Sequence, residues 1–197
     1  MKSLIRISNQ SSHTSPMKSL IRISTFALAI LLLTSSFTFA QKRGNGKTRP
    51  SPNAEVSQTI GTTVVSLTFG RPGLKGRKLE DLVPDGKVWR TGANESTVIT
   101  LSDDVMMGDA SVKAGTYSLY TKPNAKENSL DIIINSKLSW GTQYDESKDV
   151  ARTTVKVSRD NHPNEWFAIY FTNLTNSSAD MKIHWGDAIA VVPVTAK

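Results

Sequence analysis

Two stretches of the chain gather side chains able to do chemistry: Pro84 to Thr100, PDGKVWRTGANESTVIT, and the segment WGTQYDESKD at 140–149. The first holds Trp89, Arg90, Asn94 and Glu95. The second holds Trp140, Tyr144, Asp145, Lys148 and Asp149. Both mix aromatics with opposite charges, and loops far apart in sequence cluster at one end of an antiparallel β fold. Such a cluster would set Arg90 against Asp145 or Asp149, and Lys148 against Glu95. Flat tryptophan and tyrosine faces suit sugars and other ring-bearing ligands, and Arg90 and Asn94 would add directional hydrogen bonds. All nine residues are therefore candidate ligand contacts. A second chemistry is hydrolysis of a glycosidic bond by Glu95 and Asp145, which needs carboxyls about 5 to 9.5 Å apart. The plain alternative is that the charges pair to pin long connections and the tryptophans plug the ends of the fold, since such networks form without catalysis. A non-catalytic ligand- or surface-binding module ranks first and a hydrolase second, with a glycan or another small molecule as the implied partner.

Other chemistries find no foothold. The chain contains no cysteine, which removes disulfides and thiolate catalysis. No G-x-S-x-G elbow is present for a serine nucleophile. His162 lies in a turn-like run, Asp160 to Asn164, and has neither an i, i+4 partner nor a zinc-type spacing with His184. Asp103, Asp104 and Asp109 in DDVMMGD lack the calcium-loop pattern and read as hairpin turns. No metal site and no cofactor are expected.

The elements that must position the two loops are strands. Runs rich in branched and aromatic residues recur at Glu55–Ile60, Thr62–Phe69, Thr97–Leu101, Thr116–Thr121, Leu130–Asn135, Thr153–Ser158, Trp166–Thr172, Met181–Trp185 and Ala188–Val194. Gly, Pro, Asn or Asp bounds each, the pattern of an all-β, antiparallel β-sandwich of about 8–9 strands. Lys78–Val83 and Asp145–Val150 read as single helical turns in connections. Alternation in Met181-Lys182-Ile183-His184-Trp185 puts Trp185 on the buried face and His184 in water. It likewise places Thr116, Ser118 and Tyr120 on one face of their strand, with Tyr120 a candidate exposed platform.

MKSLIRIS occurs twice, at 1–8 and 17–24, so residues 1–16 read as a duplicated or mis-called start. Residues 17–40 have the basic, apolar and small-x-small parts of a signal peptide, with cleavage expected after Ala40. FALAILLL is too short to span a bilayer, so the mature chain is expected to have no membrane span and to be exported, to the periplasm or the exterior. The formal net charge is +7, yet Lys2, Arg6, Lys18, Arg22, Lys42, Arg43, Lys47 and Arg49 all precede Pro50. From Pro50 onward 16 basic residues face 17 acidic ones, a balance of −1. A basic stripe for nucleic acid is thus missing from the part that would fold. Residues 41–53 read as a basic, disordered linker and 54–197 as one domain.

The blocks RPGLKGRKLEDLVPDGKVWRTGANEST, VKAGTYSLYTKP, WGTQYDESKDVAR and IHWGDAIAVVPV occur in that order. Together they resemble the bacterial secreted family called domain of unknown function 2911, over about Ala54 to Val194. Leu130 stands where that family often has tryptophan, and Gly186 where an acidic residue is common. The resemblance implies export and implies no particular activity.

Overall fold

A computed structural model describes residues 48–197; the repeat, the leader and most of the stretch read as linker lie outside the described residues. The strands are β1 (Asn53–Ile60), β2 (Thr63–Gly70), β3 (Thr97–Leu101), β4 (Val105–Met107), β5 (Ala110–Val112), β6 (Gly115–Asn124), β7 (Ser129–Asn135), β8 (Asp149–Thr172) and β9 (Ser178–Ala196). One helical turn, α1 (Leu79–Leu82), and 3-10 turns at Ala125–Glu127 and Glu146–Lys148 sit in connections. The expected all-β, antiparallel architecture is present, in one nine-stranded sheet ordered β1-β2-β3-β6-β7-β8-β9-β4-β5.

Two strands are longer than the sequence suggested. The runs at 153–158 and 166–172 are parts of β8, and those at 181–185 and 188–194 are parts of β9. Polar residues between the runs hide this continuity. The first part of β8 pairs with β7, up to Ser129↔Lys156, and the rest pairs with β9, with register shifts between Arg159 and Asn164 and between Asn164 and Ala168. Such bulges bend a strand and sharpen its twist. The hairpin β4–β5 grows from the turn-rich DDVMMGD, and β4 pairs with the far end of β9, Val105↔Ala196.

Both halves of the sheet contribute to one core. Val65, Leu67, Ile99, Leu119, Ile132 and Ile134 from the β1–β7 half belong to the same cluster as Phe167, Met181, Trp185, Val192 and Val194 from β8 and β9. Each side chain of this size is worth about 1.5–3 kcal/mol when fully removed from water. In β2 the alternation is clean, with Val65, Leu67 and Phe69 buried. Trp185 is in the core as expected, and its indole donates to the Glu165 carbonyl at 3.2 Å.

Alternation misleads at two positions. His184 is 3 % exposed, not solvated: Tyr170 on the neighbouring strand sits diagonally across from it and its hydroxyl lies 3.3 Å from Nδ1. Tyr120 is likewise buried rather than an exposed platform, with Tyr144 packed edge-on at 4.9 Å. Its face of β6 is covered by the connection between β7 and β8. Ser118 Oγ donates to the Lys137 carbonyl, Ser96 Oγ donates to the Ser139 carbonyl, and Tyr120 Oη lies 3.2 Å from Ser139 Oγ. The small hydroxyl residues on this face fit because buried polar groups must find partners.

The folded part begins before position 54. Arg49 reaches Glu95, Asn94 Nδ2 donates to the Ser51 carbonyl and Arg71 N donates to the Pro52 carbonyl.

Candidate functional site

Trp89 is placed by backbone stitching. Pro84 ends α1, since proline disfavours helix in the residue before it and cannot continue the ladder. The chain then runs along the end of β6: Gly86 N donates to the Pro123 carbonyl, and Trp89 and Thr121 exchange hydrogen bonds of 2.7 and 2.9 Å. Asp85 Oδ1 accepts from Ala125 N at 2.7 Å. So held, the Trp89 ring stacks on Trp185 with centroids 5.5 Å apart and planes 15° from parallel. Phe167 meets both rings edge-on, at 5.2 and 6.0 Å.

The stacked pair borders a half-open pocket of about 180 Å³. Leu79 and Val83, one helical turn apart, form one wall, and Leu130, Val157 and Ala190 contribute to the rest. Glu80, Asp85, Asn128 and Arg159 also line it, and Arg159 is paired with Asp187. Ser129, 4 % exposed, belongs to the lining too, and its Oγ is buried without a hydrogen-bond partner. Near this pocket β9 turns at Gly186, whose φ of +59° is strained for any residue with a side chain; Leu74 and Leu79 lie beside it.

Of the nine residues singled out on sequence, Trp89 alone lines this pocket. The others mark a second place, where the two loops do meet, though not as the charges suggested. Glu95 and Trp140 form an isolated antiparallel bridge, and Ser96 N donates to the Ser139 carbonyl. The Arg90 side chain lies across Gly141, where a Cβ would collide with its Cβ, Cγ and Cδ. Trp140 is 50 % exposed, and Lys148 is exposed.

The expected pairing of Arg90 with Asp145 or Asp149, and of Lys148 with Glu95, is not what the loops make. Glu95, 7 % exposed, receives Arg49 Nη1 and Nη2 at 2.7 and 3.0 Å, a bidentate pair. Asp149 accepts from Tyr144 Oη at 2.7 Å, Asn135 Nδ2 at 2.8 Å and Arg152 Nη2 at 3.0 Å. Asp145 Oδ1 accepts from the Ser147 amide and hydroxyl, capping the 3-10 turn. Arg49 was out of view because it stands in a Gly/Pro/basic run with no strand pattern, and Arg152 because it falls inside β8.

These contacts set the electrostatics. Burial first, and then the bond to Asp149, push the Tyr144 phenol well above its ordinary value. The Ser147 hydroxyl bond is the main influence holding the Asp145 carboxyl below the usual range, with Lys137 and Lys148 adding smaller pulls. Glu95 and Asp145, the pair a glycoside hydrolase would use, are thus both engaged by neighbours. Among the described residues no group of three or more His, Cys, Asp or Glu is placed to hold a metal ion.

No curated protein and no solved structure matches the chain. A family model matches residues 51–194, and on that match the chain belongs to the family described as Protein of unknown function (DUF2911).

Proposed function

We propose that this protein is an exported, non-catalytic binding module that takes a small, ring-shaped, largely apolar ligand beside Trp89 and Trp185. The observation that carries this reading is the stacked indole pair bordering a half-open apolar pocket of about 180 Å³. Binding sites are commonly apolar concavities with a few polar groups at fixed places. A cavity of about 150 Å³ already accepts benzene, so the ligand portion held here is of the order of one ring. The buried, unpartnered Ser129 hydroxyl is the polar group a ligand substituent would satisfy. A ligand of this size binds with a Kd of about 1 µM to 1 mM, given the ceiling on energy per ligand atom.

Intrinsic tryptophan fluorescence during titration with benzyl alcohol and cyclohexanol tests the reading. The expected result is a saturable change in wild type that disappears in Ala188→Leu, a substitution that fills the pocket while circular dichroism stays unchanged. Equal binding by wild type and Ala188→Leu, or no binding by either alcohol, overturns it. Export rests on the leader alone; mass spectrometry of protein from its native host is expected to find Gln41 at the N-terminus.

A further inference from the structure

Arg90 is a cation without an anion among the described residues. Its Nε is buried and has no hydrogen-bond partner. Nη1 and Nη2 make no hydrogen bond among the described residues and, unlike Nε, are not buried, so this end of the fork meets solvent. The acids of the two loops are engaged elsewhere: Asp85 by the Ala125 amide, Glu95 by Arg49, Asp149 by Arg152 and Tyr144, Asp145 by Ser147, and Glu146 by Arg152. The arginine is nonetheless fixed, because its stem is pressed on Gly141, where no side chain would fit. Next along the chain stands Trp140, half-exposed, with its backbone bridged to Glu95. Lys137 and Lys148 are close enough to Asp145 to lower its proton affinity, so the surroundings of the loop carry further positive charge.

A guanidinium with two forward-facing donors is shaped for a carboxylate, which it binds through two parallel N–H···O bonds. Trp140, the chain neighbour of the Gly141 on which the arginine's stem lies, exposes half of its surface and adds a flat apolar face suited to a flat or ring-shaped body. We propose that Arg90 and Trp140 form a second binding site, separate from the Trp89–Trp185 pocket, for a small organic carboxylate carried on a flat body. The carboxylate docks on Arg90 Nη1 and Nη2 and the body lies against Trp140. Inorganic anions satisfy the first contact and not the second, and neutral rings the second and not the first.

The test is an NMR titration of the ¹⁵N-labelled protein, following the Arg90 Nε–H and Trp140 indole N–H signals, with benzoate and glucuronate against benzyl alcohol and glucose. Saturable movement of both signals with at least one carboxylate, and none with its neutral counterpart, is expected. Which carboxylate binds tells whether the body is aromatic or a pyranose. Arg90→Lys keeps the charge and the stem on Gly141 but loses the fork; it is expected to weaken binding by about tenfold. Trp140→Ala, at an exposed position that leaves the fold intact, is expected to weaken it by about the same factor. Unchanged affinity in both variants, movement equal for charged and neutral probes, or no movement with either carboxylate overturns the proposal.

Discussion

Trp89 and Arg90 are adjacent in the chain and serve two regions built by different means. Trp89 packs against the core cluster, stacks on Trp185 and borders the pocket. Arg90 lies on Gly141 among bridges and ion pairs that tie three separate loops together. The first region is held by apolar area, the second by hydrogen bonds and charge. Each is therefore vulnerable in its own way: removing atoms from the first leaves a void, whereas removing a partner in the second strands a polar group.

Comparing the two tryptophans is the sharpest way to break this contrast. Trp185→Ala is expected to destabilise by about 3–5 kcal/mol and Trp140→Ala by no more than about 0.5 kcal/mol, read from urea denaturation. Equal losses would mean that the two regions are not built differently. His184 comes next. It is buried with Nε2 unpartnered, so His184→Ala is expected to cost about 1–3 kcal/mol, and His184→Phe less, because the phenyl ring fills the space without an orphaned nitrogen. A loss below that of Trp140→Ala would put His184 back in solvent.

Within the charged region, Arg49 and Glu95 are expected to be non-additive in a double-mutant cycle, because they share two hydrogen bonds. Arg90 with Asp145 or Asp149 is expected to add simply. Coupling of Arg90 to either aspartate would restore the pairing the sequence suggested. The smallest effect at neutral pH belongs to Tyr144. Its raised proton affinity means that the folded state keeps the proton after the unfolded chain has lost it. The contribution is therefore fully present below about pH 10, the ordinary tyrosine value, and is lost as pH rises above it. Burial also raises the Tyr170 phenol, so ultraviolet titration is expected to show late phenols of which one disappears in Tyr144→Phe; an unchanged late phase in that variant would contradict the Asp149 bond.

The sequence was most legible where one physical rule acts alone. Branched residues between turn signals located seven of the nine strands, and Leu79 and Leu82 before Pro84 marked α1. The two strands it missed, β4 and β5, have three residues each, too few for a period to declare itself. Alternation gave Trp185 correctly and His184 wrongly, because it assumes one wet face, and here Tyr170 covers the second. The meeting of the two loops was legible from composition; its partners were not. Charge complementarity names which signs attract but not which residues arrive, and Arg49 and Arg152 arrive from the segment before β1 and from β8. The pocket was the least legible feature, since α1, the ends of β6 and β7, and the middles of β8 and β9 supply it from four regions of the chain.

The pairing of β4 with the last turns of β9 bears on when this protein can fold. The neighbours β1–β2, β6–β7 and β8–β9 are joined by short connections and can pair as they appear. The hairpin β4–β5 cannot be completed in this way, because Met107 pairs with Val194 and Val105 with Ala196. About 90 residues separate the partners, and distant pairings slow folding because the loop must close before the contact rewards it. While the chain emerges from the ribosome, Val105, Met107 and Val112 therefore wait without the strand that covers them. A protein built so stays unfinished at this edge of its sheet until residues 194–196 have been made, so its last three paired residues decide when the whole sheet can close.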